Sequence, residues 1–280
     1  MVKSIIDESI EYYVNAHNEN IRRKNKYRNV ELEVRFMQKI NIQRVKFERV
    51  MRSLISKGFQ LKETSYQLKI QPYGINERGD ITQSRTRVEL SNLSNIQQYC
   101  QTGMLPEERL FTRKTYVNYG KKENPVDDER YMFRISIQNE DKQIETDKMV
   151  RSILQEWNDS RKTFRYINRL SFVHPEMNHI RVDMSKVKSN MYDDVKSRSF
   201  AESRILEKDE IYEIEIEVES NHSIFDTQQI PILSKNMKTT IKHVQSGLQN
   251  TEYPVGIIDI KAAMEDYFNL IKIRVNKKDL

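Results

Sequence analysis

Between Ile211 and Glu219 the chain reads IYEIEIEVE, with Glu213, Glu215, Glu217 and Glu219 alternating with Tyr, Ile and Val. Such alternation belongs to a strand, in which residues i, i+2 and i+4 share a face at a spacing of about 7 Å. Glutamate is a poor strand former, and like charges in a row repel. The face is therefore either solvated or covered by something cationic. A second segment of this kind, ELEVRF at 31–36, puts Glu31, Glu33 and Arg35 on one face and Leu32, Val34 and Phe36 on the other. Any fold for this chain has to place both acidic faces.

The chain of 280 residues, 37% of them hydrophobic, can bury a sizeable core. With only 7 Gly and 6 Pro, no internal repeat and no low-complexity tract, one domain over 1–280 is expected. The 47 basic against 41 acidic residues give a net charge of +6, which permits a polyanionic partner such as nucleic acid or a phosphate ester without requiring one. The lone Cys100 excludes an internal disulfide, fits a reducing compartment and reads as an apolar filler. No apolar run reaches the roughly 18 residues of a membrane span, and MVKSIIDESIEYY lacks a signal-peptide core. The expectation is a cytosolic protein without membrane association.

Period-two patterning marks eight strands, at about 29–37, 66–72, 84–91, 110–118, 130–138, 163–173, 178–188 and 210–219. A helix is expected over 4–20, where Ile5, Ile6, Ile10 and Tyr13 fall at helical spacing. A second one is capped by Asn41, carries a stripe of Phe47, Val50, Met51, Leu54 and Ile55, and stops at Gly58. Further helices fit 92–102 and 144–158. A final amphipathic helix at 257–272 uses Ile257, Ile260, Met264, Phe268 and Ile271, and Pro231, Lys235 and Lys242 suggest a loop leading into a helix within 221–256. Antiparallel strands with short links close into a barrel to remove their edges. The fold class is thus α+β: an eight-stranded antiparallel barrel over about 29–220, an N-terminal helix at 4–20 and a helical segment at 221–280.

Several strands gather charge on one face. Arg85, Arg87 and Glu89 share a face in SRTRVEL, Arg134, Ser136 and Gln138 in FRISIQ, Arg165 and Arg169 with Ser171 in RYINRLS, and Arg181 with Asp183 in IRVDM. Arg113 and Lys114 point to opposite faces, so only one can join an inward set. Two arrangements satisfy this pattern: a sheet wet on its charged side, or a barrel with a polar lumen. The segregation of acids to the first and last strands and arginines to the middle ones favours the lumen. An acidic wall could then hold a hard cation, Mg²⁺ or Mn²⁺, and arginines opposite could grip phosphate oxygens. Between them a triphosphate would be placed for in-line attack by water on its terminal phosphorus.

ELEVRF and YEIEIEVE resemble the two glutamate motifs of the triphosphate tunnel metalloenzymes, and in particular the metal-dependent RNA triphosphatases of fungal and large-DNA-virus mRNA capping. FRISI, RLSF and IRVDMSKV are similar, in order, to the basic strands of that group, and RTRVELSNLSNIQQYC resembles a strand and helix of viral capping enzymes. The resemblance spans about residues 29–220. It implies Glu31, Glu33, Glu213 and Glu215 as metal-site and catalytic carboxylates, with Glu217 as a further member that positions water. It implies phosphate contacts from Arg87, Lys114 (or Arg113), Arg134, Arg169 and Arg181, with Asp183 holding an arginine or a metal-bound water. Fungal members carry a lysine where this chain has Ile167, and Arg165 stands two residues earlier to compensate. The implied activity is Mg²⁺- or Mn²⁺-dependent removal of the γ-phosphate from 5′-triphosphate RNA, the first step of capping, with some action on nucleoside triphosphates. Implied partners are a capping guanylyltransferase and methyltransferase, associated or fused. The implied location is the cytoplasm, a viral factory or virion, or the nucleus.

A guanylyltransferase would need KxDG and a P-loop nucleotidase GxxxxGK[ST], and neither occurs. Zinc chemistry lacks ligands, since His174 and His179 stand near each other with no cysteine close by. Two rivals stay open. Inorganic polyphosphate hydrolases, thiamine triphosphatases and adenylyl cyclases of the same fold more often show ExExK, where this chain has Arg35. A non-catalytic barrel could also bind RNA or polyphosphate; Tyr12, Tyr13 and Tyr27 lie near Arg22, Arg23 and Lys24, but no sheet carries the paired aromatic set that stacking on bases uses.

Overall fold

In the computed structural model, residues 4–37, 41–75, 81–118, 123–177, 179–191, 193, 196–219 and 223–278 are described. The elements run α1 (Ile5–Arg22), β1 (Arg28–Phe36), α2 (Arg44–Ser56), β2 (Gln60–Ile75), β3 (Ile81–Gln83), β4 (Thr86–Ser91), α3 (Leu93–Thr102), β5 (Leu110–Tyr116), β6 (Val126–Asp128) and β7 (Phe133–Gln143). They continue with α4 (Lys148–Gln155), β8 (Lys162–Val173), β9 (Ile180–Ser189), α5 (Phe200–Ser203), β10 (Ile211–Val218), α6 (Gln229–Gln249) and α7 (Ile257–Lys278).

Antiparallel pairing joins the strands in the order β1-β10-β9-β8-β2-β4-β5-β7, and β7 pairs back onto β1 to close a ring of eight. These eight are the strands that the alternation marks. The short β3 and β6 add to β2 and β7 outside the ring, and their three-residue length leaves no period to read.

Barrels usually turn apolar side chains inward; here the apolar parity faces out, because helices cover the outer surface. Val30, Leu32 and Val34 of β1, Ile135 and Ile137 of β7, Val182 and Met184 of β9, and Ile214 and Ile216 of β10 pack with α1, α2 and α6 in one core. Leu68 and Ile70 of β2, Val88 and Leu90 of β4, and Phe111 of β5 pack with α3, α4 and Trp157 in another. Each fully buried Val, Leu, Ile or Phe contributes about 1.5–3 kcal/mol, so two cores hold the ring from opposite sides while its polar parity turns inward. Cys100 sits partly buried beside the second core, and burial pushes its thiol up to about 11, which keeps it protonated and inert.

The helix starts refine the sequence expectations. Ser4 and Asp7 form a reciprocal cap on α1, and Asp7 also takes Lys238 Nζ at 2.5 Å and the Ser234 hydroxyl, tying α1 to α6. Asn41 does not cap α2; Gln43 occupies that position without a side-chain hydrogen bond, and the helix begins at Arg44. In its stripe Phe47, Val50 and Leu54 are buried, but Ile55 is exposed because α6 covers a narrower arc of the helix. The helix expected within 221–256 is α6, which begins earlier than the loop residues suggested and takes in Pro231, Lys235 and Lys242. Pro231 lies in its first turn, where no intrahelical N–H bond is lost. A Cβ on Gly247 would stand 2.6 Å from Val50 Cα, so the close approach of α6 to α2 requires glycine there. The stripe on α7 finds little to cover it: Met264 and Phe268 are exposed. Tyr13, considered as a stacking partner for RNA, is fully buried. Residue 178, the first of one expected strand, lies outside the described residues, as do 221–222 and 279–280 of the helical segment. No helix among the described residues is long and apolar enough to cross a membrane.

Candidate active site

The inward parity of the ring encloses a cavity of about 650 Å³, lined by alternate residues from every ring strand. β1 supplies Glu31, Glu33 and Arg35, and β10 supplies Glu213, Glu215 and Glu217. β9 and β8 add Arg181, Arg165, Ile167 and Arg169. Gln67, Lys69 and Gln71 come from β2, Arg87 and Glu89 from β4, Lys114 from β5, and Arg134, Ser136, Gln138 and Glu140 from β7. Of the expected site residues only Asp183 is absent from the lining; it is fully buried just behind it. The lining also decides between Arg113 and Lys114, since only Lys114 reaches the cavity. Both acidic faces therefore turn into the lumen and not into bulk solvent.

Register explains which acids meet. Glu33 stands directly across from Glu217, and Arg35 across from Glu215. One carboxylate oxygen each from Glu33, Glu215 and Glu217 lies within 4.8 Å of the others. Burial raises the Glu33 carboxyl well above its usual range, and the Glu215 charge adds to that. Burial and then Asp183 do the same for Glu217. Burial would also raise Glu215, but Arg35 and Arg169 outweigh it and hold that carboxylate at about 2. Glu215 Oε1 is buried and pairs with the Arg35 guanidinium. Three crowded oxygen donors, two of them resisting ionisation chiefly through burial and then through neighbouring acids, fit a hard divalent cation.

Glu31 and Glu213 lie outside this cluster. Glu31 accepts from Lys114 Nζ at 2.5 Å, and Glu213 from Arg165 Nη2. Arg169 reaches Glu215 at 3.1 Å and Asp183 at 3.0 Å. Arg181 reaches the same Asp183 at 3.0 Å and also pairs with Glu217. Asp183, which accepts from the Ser171 hydroxyl at 2.7 Å, thus holds two guanidiniums side by side. Arg87 bonds Glu89 at 2.5 Å and Glu140 at 3.3 Å, and Arg134 forms a two-point pair with Asp127 of β6 at 2.6 and 2.9 Å.

Sequence reasoning passed over Lys69 and Glu140 and left Arg35 as a mere variation on a motif. Burial lowers Lys69 to about 8 against the pull of Glu89, and Glu89 is held at about 2 by Lys69 and Arg87 although burial opposes this. The usable signal for Lys69 was its parity: it shares a face with Gln67 and Gln71 on a strand whose other face is Leu68 and Ile70. Glu140 was hidden because the expected strand stopped at 138, whereas β7 runs to Gln143. The acids are therefore less segregated than the sequence suggested, since Glu89 and Glu140 stand among the cations.

No family model and no curated protein matches the sequence. Solved structures do match its fold. The RNA triphosphatase domain of a trifunctional mimivirus mRNA capping enzyme aligns at a TM-score of 0.50 and 19% identity, over 83% of this chain and 97% of that one. A monoclinic form of the mimivirus capping enzyme triphosphatase aligns at a TM-score of 0.53 and 17% identity, over 88% of this chain and all of that one. The chain thus has the triphosphate-tunnel fold of a capping-type RNA triphosphatase, an α+β architecture around a closed eight-strand ring.

Proposed function

We propose that the protein hydrolyses the γ-phosphate of 5′-triphosphate RNA in a divalent-cation-dependent reaction, producing the diphosphate end that a guanylyltransferase of mRNA capping consumes. The observation that carries this reading is the Glu33–Glu215–Glu217 cluster inside the cavity of a closed strand ring, whose lining also presents eight lysine and arginine side chains. A polyanion enters such a cavity only if cations replace its water shell, and bidentate guanidiniums suit phosphate oxygens.

Glu33, Glu215 and Glu217 would hold Mg²⁺ or Mn²⁺, which supplies charge neutralisation and polarisation of phosphoryl oxygens. The chain's own residues do the rest. Arg169 and Arg181, both fixed by Asp183, present their guanidiniums to the equatorial oxygens of the reacting phosphorus. Glu31 and Glu213 are each neutralised by a neighbouring cation, so they add little repulsion against the substrate. Lys69, Arg87 and Lys114 line the opposite wall and bind the remaining phosphates. Such positioning and charge stabilisation is most of what phosphoryl transfer requires.

The test is release of phosphate from γ-labelled triphosphate RNA, ATP and inorganic tripolyphosphate, each with Mg²⁺, with Mn²⁺ and with chelator. Metal-dependent release from RNA is the expected result. Release from tripolyphosphate alone would assign a polyphosphatase of the same fold, and binding without release would leave a non-catalytic barrel.

A further inference from the structure

The tunnel lining runs out onto loop residues at one end: Met37 after β1, Asn41 before α2 and Met191 after β9. β1 and β9 run in the same direction, each being antiparallel to β10 between them, so these residues mark a single mouth. Beside that mouth lies a second cavity of about 470 Å³, between the β6–β7 turn and the start of α7. The two cavities share Met37 and Arg134. The second has an apolar side of Met37, Met132, Phe133, Ile257 and Ile258 and a polar side of Asp127, Asp128, Glu129 and Lys261. Hydrogen bonds anchor its walls: Ile257 N donates to Arg130 O at 2.6 Å, and Arg130 pairs with Asp259 at 2.9 Å.

We infer that this cleft receives the first nucleoside of the substrate, with its base on the methionine and isoleucine side chains and its hydroxyl or amino donors facing the acids. The inference rests on the hydrolase reading of the tunnel. Its volume lies in the roughly 300–1,000 Å³ range of small-molecule sites, which are mostly apolar with a few polar groups. Polarisable thioethers pack well on aromatic faces, and a base offers such a face whatever its identity. Three carboxylates against Arg134 and Lys261 leave the cleft net negative, with Asp127 answered by Arg134, so the lining favours a neutral group that donates hydrogen bonds over a further phosphate. Arg134 lines both cavities, and its guanidinium marks the passage from phosphate to nucleoside.

Met132→Ala and Ile258→Ser alter cleft residues outside the tunnel. Both should raise the KM for triphosphate RNA and for ATP about tenfold while leaving the KM for inorganic tripolyphosphate unchanged, and Ile258→Trp should lower the KM for ATP by offering a stacking face. Equal effects on ATP and tripolyphosphate, or no effect on either, would overturn the inference. If no substrate is hydrolysed, the hydrolase reading fails by itself, and calorimetric Kd values for ATP and tripolyphosphate in the same variants decide the cleft separately. Loss of ATP affinity alone supports the cleft, and any other pattern, including no binding of either ligand, rejects it.

Discussion

Along β8 and β9 each inward guanidinium has its charge answered: Arg165 by Glu213, Arg169 by Asp183 and Glu215, Arg181 by Asp183 and Glu217. Across the seam of β1 and β10 the balance is different. Glu33 and Glu217 each have a guanidinium nearby, yet burial and neighbouring acids still push both carboxyls up. One wall is electrostatically complete and the other is short of positive charge. A buried cation costs less when paired, and a buried acid cluster stays under strain until a further cation arrives. The difference places the demand for a metal at the seam and the grip on phosphate at the wall beside it.

Glu33→Gln strikes the incomplete wall. It keeps the shape but removes one ligand charge, so phosphate release should fall by about 10²–10³-fold, while the metal-free Tm is unchanged or rises because a repulsion is gone. Full activity in this variant would remove the proposed site. Asp183→Ala strikes the complete wall and should behave in the opposite way. It leaves two guanidiniums short of a buried partner, and urea unfolding should show a loss of about 3–5 kcal/mol. Saturating Mg²⁺ sharpens the contrast: at about 100 times its Kd it should stabilise the wild type by about 2.7 kcal/mol and Glu33→Gln far less, read as a shift in Tm.

The smallest effect concerns Lys69, whose folded pKa of about 8 lies below its ordinary 10.5. Between those values the folded protein holds fewer protons than the unfolded one, so this group makes stability rise with pH across that window. Its charge disappears over the same range. Tripolyphosphate affinity should therefore weaken above about pH 8, and Lys69→Arg should abolish that weakening in a calorimetric titration.

Much of this was legible because strand alternation sets a face, and one face of a closed ring is a lumen. Glu31 through Arg35 and Glu213 through Glu217 have their parity fixed by backbone geometry, and so do Arg165, Arg169 and Arg181. Which acids touch was not legible. Glu33 meets Glu217 and not Glu213 because of the offset between two strands far apart in the chain, and that offset depends on ring closure through β7. Glu140 was lost because the expected strand ended at 138 and β7 runs to Gln143, and Ile55 turned outward because the width of α6 sets how much of α2 is covered.

By itself, then, the sequence determined the eight ring strands, their two-faced character and the residue types facing the lumen, since these follow from local periodicity and the need to bury apolar side chains. Tertiary structure alone decided the three-carboxylate cluster, the two arginines held by Asp183 and the cleft beside the mouth. Each of these is a distance between distant segments, and such distances are set by register, ring closure and helix packing.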